Sequence, residues 1–368
     1  MRVRNVAWRV RSARRYRGVA RSGVIGTLTD FAAVCGPGAR VLECPAPAPN
    51  AEPRPPMHLE PSLHPVLEAL VEPWPLQGLC AGIFPGAQLE TAFGIVVARD
   101  GSVLGASAWD PEQLRKSGVF DRQPRFRRRV AGHCASLVSQ FGGYFHWLTE
   151  ALPRIAVLRR LGLADVPVIT PPGLTPVQRE SLERLGVEVA VPYQDGITPD
   201  VLVWARPPGH TGHPPRWACD WLREQLLGDR LPAGRSRLYI SRRDARSRRV
   251  ANEAEVVALL REHGFDVVQP EQLTLLEQAE LFAGAGIVVA PHGAGNANLL
   301  FSRSATLVEL FDPGYMNGCY YSLAQALGHP YWYLMCDPEA PGDIRVPLDR
   351  LERVVDAALR TATTLSAT

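Results

Sequence analysis

The second half of the chain alternates apolar runs of strand length with amphipathic stretches of helix length, and that rhythm constrains the fold more than any other feature. Strand patterns over Arg237–Ser241, Asp266–Gln269, Ile287–Ala290, Thr306–Phe311 and Tyr331–Met335 are separated by helical patterns over Glu253–His263, Leu275–Ala285 and Gly318–Leu327. A short helix comes after the glycine turn that succeeds Ala290. A parallel return needs a crossover of a dozen or more residues, so strands spaced by helices imply βαβ units and a parallel sheet. The expected product is a Rossmann-type domain, in which ligands bind beyond the carboxyl ends of the strands. Between residues 90 and 225 the rhythm is less regular. There, β-like runs at Ala92–Val97, Val103–Ala108, Pro167–Thr170, Val187–Val191 and Val201–Ala205 interleave with helical patterns at Tyr144–Leu161 and Thr175–Leu185.

A chain of 368 residues with 46% hydrophobic content can bury two domain-sized cores. Residues 45–63, from Pro45 through Pro55-Pro56 to Pro61, are too proline-dense for regular structure and read as a linker or irregular arm. The expected organisation is a basic, proline-rich extension over residues 1–63 and an α/β domain over 64–228. A Rossmann-like domain over 229–335 and a tail helix over 336–368 complete it. Residues 2–24 place Val3, Val6, Val10, Ala13, Tyr16, Ala20 and Val24 at near-helical spacing among arginines. A basic amphipathic helix on an anionic membrane surface and a plain N-terminal extension both fit that pattern.

The formal charge of +3 is small for this length, which argues against a dedicated nucleic-acid binder. Local arginine clusters matter more: Arg2–Arg21, Arg122–Arg129 and Arg235–Arg249, with Lys116 the single lysine. The seven cysteines (35, 44, 80, 134, 219, 319 and 336) have neither CxxC nor Cys/His ligand spacing, as expected of reduced thiols in a cytoplasmic protein. No apolar run reaches the length of a membrane span or a secretory signal, and Arg14-Arg15 lacks the apolar stretch of a twin-arginine address.

The turn Pro291-His292-Gly293-Ala294-Gly295 after the buried run Ile287–Ala290 is a candidate anion seat. Gly293 and Gly295 can take positive φ and admit a ligand close to the backbone, while the N–H groups of the next helix favour negative charge. Other polar residues fall at the same strand ends. Ser241, Arg242 and Arg243 succeed the first strand pattern, and Glu309 and Asp312 close the fourth. Two guanidinium forks beside a helix N-terminus suit a diphosphate, and a carboxylate at Glu309 suits the hydroxyls of a ribose. Arg242 and Arg243 also fit a solvated turn, since Arg246, Arg248 and Arg249 come next; His292 also fits a helix-end residue satisfied by backbone. The dinucleotide fingerprint is absent, because Asn298 stands where a third glycine would be, and no GxxxxGK[ST] loop occurs.

In the first half, His146 and Glu150 are four residues apart and share one helix face, which Arg154 continues. Pro153 has no N–H for the Thr149 carbonyl, so the helix should bend near Glu150. A histidine oriented by a carboxylate suits general-base work near neutral pH. The alternative is a structural turn, with His146 packed on Trp147 and Glu150 paired to Arg154.

The segments Tyr144–Arg154, Leu238–Arg243, Pro291–Gly295 and Val308–Phe311 together resemble the glycosyltransferase family 61 pattern, in the right order across residues 130–335. The resemblance implies an α/β, GT-B-like architecture of two Rossmann-like domains with a cleft between them. It also implies transfer from a nucleotide sugar with inversion and no obligatory metal; no DxD triplet is present. The implied enzyme is a hexosyl- or pentosyltransferase using a UDP-linked donor, no further cofactor, and a glycan or lipid-linked oligosaccharide acceptor. Bacterial members are often described as capsular polysaccharide biosynthesis proteins. By the resemblance, Ser241, Arg242, Arg243, His292, Gly293, Ala294, Gly295 and Glu309 hold the donor. His146 is the first choice for catalytic base and Glu150 the second, facing the acceptor; the expected location is the cytoplasm, with peripheral contact to the inner face of the cell membrane if residues 2–24 form the basic helix. A pyruvyl transferase acting on polysaccharide and a non-catalytic assembly protein that keeps the fold are the competing classes.

Overall fold

The computed structural model describes residues 23–72, 74–90, 93–108, 128–139, 141–190, 196–228, 236–339 and 342–366. The basic stretch expected to form a membrane-surface helix lies outside the described residues up to position 22, as do Lys116 and the arginines between 122 and 127. The chain divides into two compact units, one of Met1–Ala46 with Gln77–Pro208, the other of Pro47–Leu76 with Gly209–Thr368. Among the described residues, no helix is long and apolar enough to cross a membrane.

The first unit contains β1 (Val24–Ile25), β2 (Arg40–Cys44), β3 (Leu79–Pro85), β4 (Gln88–Leu89), β5 (Val96–Val97) and β6 (Val103–Leu104). It continues with β7 (Arg128–Ser136), β8 (Val168–Ile169), β9 (Val189–Ala190) and β10 (Ile197–Ala205). They form one sheet in the order β1-β6-β5-β4-β10-β7-β8-β9, with β3 also on β10 and β2 on β3. From β10 through β7 and β8 to β9 the pairing is parallel. On its other side β10 meets β3 and β4 antiparallel, and β4, β5 and β6 run as a meander. The parallel pairing expected of a Rossmann-like domain is therefore present over four strands and corrected over the rest, where β3, β4, β5 and β6 follow one another through connections too short to hold a crossover helix. The register of β10 on β7 shifts between Pro199 and Val201, where proline cannot donate to the ladder. Phe31, Phe84 and Trp204 fill the core against this sheet.

The second unit carries a wholly parallel sheet of β11 (Ser236–Ile240), β12 (Asp266–Val268), β13 (Ala285–Pro291), β14 (Thr306–Phe311) and β15 (Tyr331–Met335). Its order is β12-β11-β13-β14-β15, so the winding reverses between β11 and β13. Such a reversal opens a crevice beyond the carboxyl ends of the two strands, the usual ligand position in α/β sheets. Every position of β14 is buried, as expected of a central parallel strand covered on both faces. Helix Leu275–Ala283 starts at a capping box in which Thr274 and Glu277 satisfy each other's backbone N–H groups.

Two segments expected to be peripheral belong to this unit's core. Helix Leu348–Ser366 inserts Leu351, Val354, Val355 and Ala358 among residues of β13, β14 and β15. The proline-dense segment lies along the edge of β15: Met57 N–H donates to the Tyr331 carbonyl at 2.8 Å, and Tyr333 N–H donates to Met57 at 3.2 Å. Prolines remove the donors a longer strand needs, so the pairing is the single bridge Met57 to Trp332, yet it covers an otherwise open edge.

Candidate functional site

Each unit presents a histidine held by a carboxylate. In the first, the helix Tyr144–His146 passes into a π turn over Trp147–Ala151 before Pro153–Arg160 resumes α geometry. Leu152 N–H reaches back five residues to the Trp147 carbonyl at 3.0 Å. Pro153 cannot serve the Thr149 carbonyl, and the wider turn takes the place of the expected bend. His146 Nδ1 lies 2.7 Å from Glu150 Oε1, with the imidazole 23% and the carboxylate 6% exposed. Phe141 stacks on the imidazole at 4.9 Å and Phe145 meets it edge-on at 5.3 Å. With Nδ1 engaged by Glu150, Nε2 is the ring nitrogen outside that contact.

Arg154 does not continue that face. The π turn inserts a residue and rotates the helix beyond it, so the buried Arg154 side chain donates to the carbonyls of Val138 at 2.9 Å and Ser136 at 3.4 Å. Its guanidinium also lies over the Trp204 ring at 5.9 Å. Burial pulls its pKa down to about 10, against the opposing pull of the Glu150 charge.

In the second unit Glu309 sits in the middle of β14 with no exposed surface. A carboxylate there must find partners inside the protein. Oε1 lies 2.5 Å from His292 Nδ1, and Oε2 accepts from the Tyr331 hydroxyl at 2.6 Å. His292 comes directly after the last residue of β13, its N–H bonded to the Leu310 carbonyl at 2.9 Å. Phe311, Tyr315 and Tyr320 surround its ring at centroid distances of 5.3, 5.5 and 5.1 Å. Burial first, then the Glu309 charge, pushes the Tyr331 hydroxyl well above its ordinary pKa. Both oxygens of Glu309 are thus taken, which puts it behind His292 rather than at an open ribose position.

The glycine turn is built differently from the expectation. Gly293 has φ 179, an extended value open to any residue, and Gly295 is not among the positive-φ glycines either. Gly293 is needed for proximity, because a Cβ there would lie 1.9 Å from Nη1 of Arg242. That guanidinium is fixed by the carbonyls of Arg248 at 3.2 Å and Ser247 at 2.9 Å. A Cβ on Gly295 would press on Ile240 and Pro270 at 3.3 and 3.4 Å. The helix after the turn is 3₁₀, Ala294–Phe301, and Ala294 is its exposed first residue. Asn298 is buried and donates to Gln278 at 2.8 Å, so the third-glycine position serves packing.

Ser241 is buried and its Oγ accepts from the Arg243 N–H at 3.3 Å. The Arg243 side chain is 69% exposed and turns toward Asp244 and Gln269. Arg248, Tyr315, Tyr320 and Tyr331 join the site without a signal in the sequence, since nothing local marks one arginine among several or a tyrosine 22 residues from its carboxylate. Residues 342–346 clamp the arginine loop. Arg248 N–H bonds the Gly342 carbonyl at 2.7 Å, Arg249 pairs with Asp343 at 2.7 Å, and Asn252 exchanges two hydrogen bonds with Val346 at 2.9 Å. The hydrogen bond from Arg249 holds the Asp343 carboxyl below its ordinary pKa. All seven cysteines are free, and among the described residues no group of three or more His, Cys, Asp or Glu side chains is arranged to hold a metal ion.

No curated protein matches the chain. Residues 144–308 match the family model described as Glycosyltransferase 61, a segment that runs from the His146 helix through the His292 turn and into β14. Over this segment the chain is similar to glycosyltransferase family 61.

Proposed function

We propose that the protein is an inverting, metal-independent glycosyltransferase that moves a hexosyl or pentosyl unit from a UDP-linked donor to a hydroxyl of a growing glycan or lipid-linked oligosaccharide. The observation that carries this reading is Arg242 fixed against Gly293, beside His292, at the winding reversal of a wholly parallel sheet. A leaving diphosphate needs positive charge that is already in place, and a guanidinium held by backbone carbonyls meets that need with little reorganisation. His146 is the base: Glu150 fixes Nδ1–H, and Nε2 takes the proton of the acceptor hydroxyl as its oxygen attacks the anomeric carbon. The bond from that carbon to the diphosphate breaks on the opposite face, which inverts the configuration. Glu309 acts through His292, holding its ring and tautomer. In the same proposal the first unit, through His146, serves the acceptor and the second unit serves the donor.

The test is a panel of nucleoside diphosphates and nucleotide sugars read by thermal shift and by donor hydrolysis, with and without EDTA. UDP and a UDP-sugar should raise the melting temperature, since a ligand bound only to the native state stabilises it by mass action. Hydrolysis should survive the chelator. No shift with any nucleotide, or a shift with phosphoenolpyruvate in its place, would overturn the proposal in favour of a scaffold or a pyruvyl transferase.

A further inference from the structure

Arg248 stands apart from the other arginines of its loop. It is the one non-glycine residue with positive φ among the described residues, at 60°. A left-handed arginine is strained and persists only where its surroundings hold it. Here its N–H is tied to Gly342 and its carbonyl to Arg242 Nε. The conformation lays its guanidinium over the Tyr315 ring at 5.1 Å, and its Nε is buried without a hydrogen-bond partner. The charge of Arg248 acts on Arg242, Cys319 and Tyr320, and Tyr320 feels both arginines. Neither Arg242 nor Arg248 has a carboxylate within ion-pair distance among the described residues, whereas Arg243 and Arg249 each have one. The Arg248 charge works against that of the partly buried Arg242, and the Glu271 and Asp343 charges that oppose this repulsion lie beyond ion-pair distance. That arrangement is stable to the extent that an anion completes it.

We propose that Arg248 and Arg242 together form the seat for the donor diphosphate, and that Arg243, the second arginine of the adjacent pair, lies outside it. The inference rests on the proposed donor class for its ligand, but the seat itself is a statement about a pair of phosphates. Each guanidinium offers a planar fork of N–H donors to phosphate oxygens, and the Tyr315 ring braces Arg248.

Calorimetric titration of the full chain with inorganic pyrophosphate and with UDP tests this in wild type, Arg248→Gly, Arg248→Gln and Arg243→Gln. Glycine adopts φ 60° without strain, so Arg248→Gly should melt at or above the wild-type temperature while binding pyrophosphate at least about tenfold more weakly. A purely structural role for Arg248 predicts no such opposition between stability and binding. Arg243→Gln should stay within about threefold of wild type. The inference is overturned if wild type does not bind pyrophosphate, if Arg248→Gly binds it within about threefold of wild type, or if Arg243→Gln loses as much as Arg248→Gln. Pyrophosphate binding that depends on Arg248, with no binding of any nucleotide, would sustain the seat and overturn the proposed donor. UDP binding indifferent to Arg248 would do the reverse.

Discussion

Glu309 holds His292 through a 2.5 Å contact between Oε1 and Nδ1 in the interior of a parallel sheet, and the contact decides what each residue can do. The carboxylate cannot leave without stranding two donors, Nδ1–H of His292 and the hydroxyl of Tyr331. Replacing Glu309 by alanine should destabilise the second unit by about 2–5 kcal/mol, since each buried donor left unsatisfied costs about 1–3 kcal/mol. Glu309→Gln keeps the shape and should cost less stability while still lowering transfer. Urea unfolding of both variants gives the comparison, and a Glu309→Ala loss under about 1 kcal/mol would contradict the buried network.

His146 should be separable from donor binding. His146→Ala is expected to lower transfer by about 10²–10⁴, the usual contribution of a positioned base, and to leave UDP binding within about twofold. Weakened UDP binding with unchanged turnover would remove His146 from the acceptor side. Steady-state kinetics and calorimetry on one preparation decide the matter.

Gly293→Ala brings a Cβ to within 1.9 Å of Arg242 Nη1, and that guanidinium is held by two carbonyls. The expected cost is about 1–3 kcal/mol of stability, with loss of UDP binding. Arg242→Ala removes the obstacle, so adding Gly293→Ala to it should cost almost nothing more. Additive effects across this double-mutant cycle would mean that the glycine serves some other contact.

His329 gives the fold a pH dependence independent of the site. It is buried behind Gly328, and desolvation takes its pKa from 6.5 to about 3. A folded pKa held below the unfolded one removes stability as pH falls through 6.5, because only the unfolded state takes up the proton. Between pH 7 and pH 5 this residue should cost wild type about 2 kcal/mol that His329→Leu does not lose. Parallel acid limbs for the two proteins would show that the imidazole is not kept neutral.

The second sheet was legible because its strands are continuous apolar runs between helices with their own stop and start signals, such as the Thr274 and Glu277 box. Its strand order was not, and the order places Arg242 beside Gly293. The His146 to Glu150 contact is set by helical spacing, but the π turn that sends Arg154 into the core depends on how Pro153 is resolved in three dimensions. The glycines of the turn are marked in the sequence for a conformational reason, whereas Gly293 is required for a steric one. Arg248 was indistinguishable from Arg246 and Arg249 because its role comes from a backbone angle and from residues 94 positions away in the same clamp. The segment around Met57 reads as a spacer, since proline density reports which hydrogen bonds are missing and not the one that remains.

The clamp between the arginine loop and residues 342–346 has a consequence for synthesis. Arg249 and Asn252 emerge from the ribosome 94 residues before Asp343 and Val346, the partners that fix them. Until those partners arrive, the nascent chain has strands β11 to β15 in hand, and the loop that carries Arg242 and Arg248 has its internal contacts but not the clamp. The loop is therefore clamped only once the sheet is complete, by the few residues that come directly after β15.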